Sequence, residues 1–469
     1  MLGGMENMAL PCDSKWPVLN RRVMIGKQII HSCFRFSVLV TVAGLLLAGL
    51  LLAGCNSSST APKSAGGAAD APESDTLVIV SPHGLEIQGE FERLWAQKHP
   101  NTHLKWIDKG GTADDLRFVQ SQFKGKGATE GIGIDCFFGG GAETFLELDK
   151  SNQLQMLPSA YGVPEKLNGM PLRGAQNHWV ATALSEFGIL YNKSIAARDQ
   201  LPIPATWADL SNPKLRGRIE LADPRHSGSA HATYEIILET NGWKNGWKIL
   251  TGMAANSRRF VRDSSDLPKD VSSGEAVFAT AIDFYARGAI DRAGSDKLGY
   301  VSPRGQGVVT PDPIGILRGA PSPKLAREWV QFVMSPEAQK LWMYKKGAPG
   351  GPTQNSLFRQ AALPALYKPI SPSSLIPADP FAVKAAYQYD ATKAGTRRRV
   401  LDDLIGATLV ENQSQIAKWW TSNSDPARLN FVPVEESEVT KAAASWDDTT
   451  FRDDKLKEWG ARAAKYFGG

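Results

Sequence analysis

Thr76-Leu77-Val78-Ile79-Val80-Ser81-Pro82-His83-Gly84 opens the part of the chain that can build a core. Leu77-Val78-Ile79-Val80 forms a short apolar, β-branched run, the pattern of a buried strand. Pro82 and Gly84 punctuate its end. Ile87, Phe91, Leu94 and Trp95 then fall at helical spacing and put one apolar stripe on a helix that stops before Pro100. Residues 103–107 read as a second strand, 114–123 as a helix and 132–138 as a third strand. Strands alternating with helices imply an α/β architecture, a parallel sheet with helices on both faces. In such sheets ligands bind at the carboxyl ends of strands. Two loops leave strands at such ends, 81–84 and 139–141.

Upstream of that strand the chain changes character. From 36 to 52 it is almost uniformly apolar, preceded by Lys27 and Arg35 and followed by Ala53-Gly54-Cys55. A basic region, an apolar core and small residues at a cleavage point make a secretory signal over 1–54. Seventeen residues is also the lower limit for a membrane-spanning helix. Leu52-Ala53-Gly54-Cys55 resembles a bacterial lipobox, which implies cleavage, lipidation of Cys55 and a membrane anchor made of several acyl chains. Met24 is an alternative start. Residues 55–75 are rich in Ser, Ala, Gly and Pro and cannot bury enough surface to order themselves, so they read as a flexible tether.

Composition narrows the function classes. The chain has 469 residues, 42% of them hydrophobic and 22% charged, which excludes a disordered or collagen-like chain and allows two or three domains. The net charge is +5, of which +3 lies within residues 1–54. What remains is too little for a nucleic-acid footprint. Four cysteines (Cys12, Cys33, Cys55, Cys136) make neither a disulfide framework nor a zinc spacing. Cys136, in an apolar run, reads as a small buried hydrophobe.

Beyond Trp179 the pattern restarts. Residues 180–184 and 188–191 read as two strands flanking Ser185-Glu186-Phe187. A strand at 218–221, a helix at 230–240 and a strand at 277–282 follow, the last ending in Asp283-Phe284-Tyr285. Ser322-Pro323 and Ser335-Pro336 each set an N-cap before a proline. Leu325, Trp329, Phe332 and Val333 make an apolar face there.

An ordered series of motifs runs through this region: Ile189-Leu190-Tyr191-Asn192-Lys193, Pro204-Ala205-Thr206-Trp207-Ala208-Asp209-Leu210, Leu215-Arg216-Gly217-Arg218-Ile219, Ala222-Asp223-Pro224-Arg225-His226-Ser227-Gly228-Ser229-Ala230, and Ser335-Pro336-Glu337-Ala338-Gln339. Together they resemble the extracellular solute-binding proteins of ABC importers, in the ferric-iron-type group, over about residues 76–355. The resemblance implies the two-lobed periplasmic-binding-protein (Venus-flytrap) fold. Lobe 1 would be 76–183 plus 303–355 and lobe 2 184–302, closing like a clamp on a solute that is handed to an inner-membrane permease. It also implies a monomer in the periplasm or at the cell surface, with no cofactor of its own.

The cleft residues in that fold are candidates for the solute. Ser227-Gly228-Ser229 opens a helix, where free N–H groups and the helix dipole favour an anion and two hydroxyls add donors. An ordinary N-cap serine fits the same spacing. Gly139-Gly140-Gly141 can bring N–H groups close to a ligand as a nest, or be a plain turn. Ser81 and His83 end the first strand and face the same cleft, although a lone histidine can be structural. Iron-binding members of the resembling group use adjacent tyrosines, a carboxylate and sometimes a histidine. The tyrosine pair falls on Phe284-Tyr285, leaving one phenol, and the carboxylate position falls near Gly140. Ferric iron would therefore rest on His83, Glu86 and Tyr285, with Asp283 or Glu186 as substitutes. Serine and glycine donors suit a small anion such as a phosphate ester or phosphonate better.

No H-E-x-x-H, G-x-S-x-G, Walker loop or C-x-x-C occurs, and no nucleophile–base arrangement emerges, so the chain does not read as an enzyme. A sensory receptor on the same fold is the alternative of another class. Residues 356–469 read as a mainly helical C-terminal extension in which Leu401, Leu404, Ile405 and Leu409 line one face. Arg397-Arg398-Arg399 is expected to be solvated or paired with Asp402 and Asp403. The extension packs on the lobes or offers a docking surface.

Overall fold

The computed structural model describes residues 75–376, 378–382 and 387–468. The expected signal, the Cys55 lipidation site and the tether lie outside them. In chain order the first elements are β1 (Thr76–Val80), α1 (Leu85–Lys98), β2 (His103–Ile107), α2 (Thr112–Phe123), β3 (Cys136–Phe138), α3 (Ala142–Lys150), and the short hairpin β4 (Lys166–Leu167) and β5 (Met170–Pro171). Then come β6 (Val180–Asn192), α4 (Lys193–Arg198), β7 (Ile219–Ala222), α5 (Gly228–Asn241), α6 (Trp243–Asn256), β8 (Ser257–Val261), α7 (Leu267–Ser273), β9 (Phe278–Ile282), α8 (Asp283–Ala293), β10 (Leu298–Val301) and β11 (Val309–Ile316). The chain continues through α9 (Pro323–Val333), α10 (Pro336–Met343), β12 (Gln360–Ala361), α11 (Ala391–Ile405), α12 (Gln413–Ser422), α13 (Glu436–Ala442) and α14 (Thr449–Gly468).

The strands form one sheet path in the order β2-β1-β3-β11-β6-β9-β7-β8. Parallel pairing joins β1 to β2 and β3 at one end, and β7 to β8 and β9 at the other. In the middle β6 and β11 run antiparallel to their neighbours, so the sheet is mixed where the sequence pattern alone implies a parallel one. Residues 180–192 are a single strand of 13 residues rather than two. Ser185, Glu186 and Phe187 stay extended because both sides pair: Ser185 and Glu186 face Thr310 and Val309 of β11, and Phe187 faces Ile282 of β9. This polar step marks the point where β6 leaves one set of strands and joins the other.

Burial follows the expected faces. Leu77 and Ile79 share a cluster with Phe91, Trp95, Phe138, Trp329 and Trp342, which packs α1, α9 and α10 against one side of the first strand set. Val80, on the opposite face, belongs to a second cluster that runs through α2, α3, the second strand set and the extension. Alternation along β1 is what splits the two. Cys136 is fully buried in the first of these clusters, and desolvation pushes its thiol well above the ordinary value, which fits a small hydrophobe.

The extension is folded into the body rather than laid on it. Leu401, Leu404, Ile405 and Leu409 are all buried, Trp420 Nε1 donates to Asn256 Oδ1 at 2.7 Å, and Trp243 Nε1 donates to the Val434 carbonyl at 2.8 Å. Arg397 is 1% exposed and pairs with the equally buried Glu235 of α5 and with Glu436. The described residues form one compact unit.

Breaking a buried ion pair by removing one charge strands the other, at about 3–5 kcal/mol. Arg397→Met should therefore lower unfolding stability by about that amount in urea titration. The double variant R397M/E235L should recover most of the loss, and a double no more stable than the single would contradict this account of how the extension is fastened.

Candidate functional site

A cavity of about 420 Å³ opens beside the step in β6, bordered by Ser185 and Phe187 of that strand and by Thr310 and Asp312 of β11. Five helices of nine residues or more begin at it: Gly84 precedes α1, Gly111 precedes α2, Gly141 precedes α3, Ser227 caps α5 and Phe284 lies in the first turn of α8. Each N-terminus carries roughly half a positive charge on N–H groups without helical partners. Their convergence makes the cavity favourable to anions before any side chain is counted. α2 belongs to the first strand set and α5 to the second, and the sets touch: Arg117 donates to the Arg225 carbonyl at 2.9 Å and Arg262 to Asp114 Oδ2 at 2.6 Å.

Of the residues singled out from sequence, His83, Gly140, Gly141, Ser227, Gly228, Ser229 and Tyr285 line the cavity. Ser227 Oγ accepts from the Ala230 N–H at 3.3 Å and donates to Ser264 Oγ at 2.9 Å, so it caps α5 and borders the cavity at once. Ser229 Oγ has no hydrogen-bond partner among the described residues. Gly140 has φ +108°, and a Cβ there would lie 2.6 Å from Thr112 Cγ2, so the close passage of these two loops needs glycine.

Four expectations are corrected. Ser81 is fully buried and its Oγ accepts the His83 N–H at 3.2 Å, a local turn contact away from the cavity. Gly139 does not line it either. Its N–H donates to the Pro313 carbonyl at 2.7 Å and that of Gly140 to Asp312 Oδ1 at 2.8 Å, so the expected nest of free donors is largely used by the protein itself. Asp283 lies fully buried behind the cavity, accepting from Gln360 Nε2 at 3.3 Å, and desolvation raises its carboxyl to about 6. Glu86 is exposed and outside the lining.

Sequence reading missed the charged groups that organise the cavity. Asp312 sits at its floor: His83 Nε2 lies 2.6 Å from Asp312 Oδ2, and the buried Arg359 pairs with the same carboxylate while reaching Ser185 Oγ at 3.2 Å. The Arg359 guanidinium lies 4.2 Å from the centroid of the Phe284 ring. Burial pulls the Asp312 carboxyl upward, but Arg359, His83 and the Gly140 N–H outweigh it and hold it well below the usual range. An aspartate between two prolines in an apolar run (310–316) was the available signal; Arg359 offered none.

A second group comes from the extension. Arg398 of α11 is 4% exposed, lines the cavity, and donates to Thr144 Oγ1 of α3 at 2.6 Å. His231 of α5 also lines it, with Nδ1 2.7 Å from Asp402 Oδ1. Burial lowers the His231 pKa, yet the charge and hydrogen bond of Asp402 outweigh it and raise the net value. Arg397 and Arg398 are thus neither solvated nor paired with Asp402 and Asp403, whereas Arg399 is exposed. Burial in the body gives the first two different partners, Glu235 and Glu436 for Arg397 and Thr144 for Arg398, while Arg399 pairs with Asp447 at the surface.

Ferric iron would need His83, Glu86 and Tyr285 together. Glu86 is exposed and does not line the cavity, His83 Nε2 is engaged by Asp312, and desolvation raises the Tyr285 phenol, which opposes a phenolate. Among the described residues no three His, Cys, Asp or Glu side chains converge as a metal-binding group.

Residues 142–370 match the family model described as bacterial extracellular solute-binding protein. The chain is 28% identical over 194 residues to the phosphoglycerate transport regulatory protein PgtC of Salmonella typhimurium, covering 41% of this chain and 47% of that protein. The chain thus matches about half the length of this relative. The periplasmic binding protein AfuA of Actinobacillus pleuropneumoniae, solved with fructose-6-phosphate bound, superposes with a TM-score of 0.57 at 17% identity, covering 74% of this chain and 98% of that one. The apo ferric ion-binding protein A of Pasteurella haemolytica gives 0.55 at 13% identity, covering 71% and 97%. These two likenesses show the fold, two-lobed and α/β.

Asp312→Asn should leave Arg359 as an uncompensated buried cation and cost about 3–5 kcal/mol at pH 7. A carboxyl held low contributes stability above its unfolded pKa, near 4, and loses it as pH falls. The gap in melting midpoint between wild type and D312N should therefore narrow below about pH 4. A constant gap from pH 7 to pH 3 would contradict the role given to Asp312.

Proposed function

We propose that the protein is the solute-binding component of an ABC importer and captures a small anionic solute, a phosphate ester or a closely similar oxyanion, in the cavity beside β6. The observation that carries this is the convergence of five helix N-termini on about 420 Å³ bordered by Ser229 and Arg398. The acidic side chains bordering it are each held by a partner within the protein or face solvent. Asp312 is neutralised by Arg359, Glu143 accepts from the Tyr389 hydroxyl, Asp108 from the Gly110 and Gly111 N–H groups, Asp263 from the Ser265 N–H, and Asp266 is exposed. The names of the relatives, one a phosphoglycerate transport protein and one solved with a sugar phosphate, point to the same chemistry.

In this reading the strand sets on either side of the β6 step are lobes, 76–183 with 303–355 against 184–302. Solute contacts from both lobes favour the closed form by exactly the difference in affinity between the two states, and by nothing else. The protein binds without turnover, acts as a monomer outside the cytoplasm, and hands its solute to a membrane permease. Cleavage before Cys55 and lipidation of its thiol would tether the body to a membrane through residues 55–75.

The test is titration calorimetry of residues 75–469 with 3-phosphoglycerate, fructose 6-phosphate and ferric citrate. Saturable binding of a phosphate ester is expected, unaffected by chelator and without product formation. Ser229→Ala should weaken it by about tenfold, the worth of one hydrogen bond to a charged group. Binding of ferric ion alone, with a visible band lost in Tyr285→Phe, would overturn the anion reading.

A further inference from the structure

We infer that the C-terminal extension is part of the solute site, and that Arg398 is reserved for an oxyanion of the solute. This rests on reading the cavity as the solute site, and it adds a binding group from α11, which lies beyond the family-matched residues 142–370.

A guanidinium taken out of water is costly unless a charge of opposite sign meets it. Arg399, exposed on α11, pairs with Asp447, and the buried Arg397 obeys that rule by pairing with Glu235 and Glu436. Arg398 does not. Although 4% exposed, it has no carboxylate within ion-pair distance among the described residues, and its hydrogen-bond partner there is the neutral Thr144 hydroxyl. It lines the cavity, and a planar fork with donors left over matches a carboxylate or phosphate.

His231 supplies the second, independent observation. Nine-tenths and more buried, it also lines the cavity, and its Nε2 has no partner among the described residues while Nδ1 is held by Asp402 of the same extension helix. Asp402 is a positioning residue: it turns the ring so that Nε2 is the free nitrogen. α11 therefore contributes one donor directly and orients another. Its adjacent arginines reach helices of the two different strand sets, Arg397 to α5 and Arg398 to α3, so the extension fixes this wall of the cavity relative to both.

The test compares wild type, Arg398→Gln and Arg398→Lys by calorimetry with 3-phosphoglycerate and fructose 6-phosphate, and by thermal midpoint without ligand. R398Q should bind more weakly by a factor on the order of tenfold to hundredfold, while its ligand-free midpoint is unchanged or raised, because an unpaired buried charge has been removed. R398K, which keeps the charge but not the fork, should fall between, and it decides the matter if R398Q does not fold. Loss toward both probes assigns Arg398 to the phosphate; loss toward 3-phosphoglycerate alone assigns it to the carboxylate. Unchanged affinity in both variants overturns the inference and leaves the solute reading standing, whereas a wild type that binds neither probe overturns both.

Discussion

The continuity of β6 constrains everything else. One strand of 13 residues pairs with β11 through its first half and with β9 and β10 through its second. A shared strand cannot be cut without exposing the backbone of both sets, so neither set is an independent sheet. The step at Ser185 to Phe187 is where the partners change, and it is there that helices following strands from both sides bring their N-termini together. The cavity is a consequence of that change of partners.

Inside the cavity the charges are arranged unequally. Asp312 is bound on three sides, by His83, Arg359 and the Gly140 N–H, and its fixed position holds the floor. Arg398 has one neutral partner and faces the same space. A folded protein that leaves one buried cation without a counter-charge gives up stability in the empty state, and a bound anion restores it. Function and stability meet at that residue.

Much of the fold was legible because burial writes itself into period. The β-branched run at 77–80 and the stripe of Ile87, Phe91 and Trp95 gave the first strand and helix, and the apolar face of α9 was equally plain. Antiparallel pairing of β6 and β11 was not legible, since direction is set by topology and leaves no mark on alternation. Ser185-Glu186-Phe187 looked like a break because two polar residues interrupt the apolar run, Ser185 at the cavity and Glu186 toward Arg287 and Ser302. In the site, the loops at 227–229 and 140–141 carried local signals. Arg359 and Arg398 did not, because their meaning comes from contacts 47 residues away at Asp312 and 254 residues away at Thr144. The three-arginine run looked like a solvated face, and only tertiary packing distinguishes its members.

A crystal structure grown with 3-phosphoglycerate tests the central claim most directly. It should place the ligand's phosphorus in the space bordered by Ser229 and Arg398, with oxygens in hydrogen-bond range of donors from both strand sets. A ligand seated elsewhere on the surface, with only water filling that space, would contradict it.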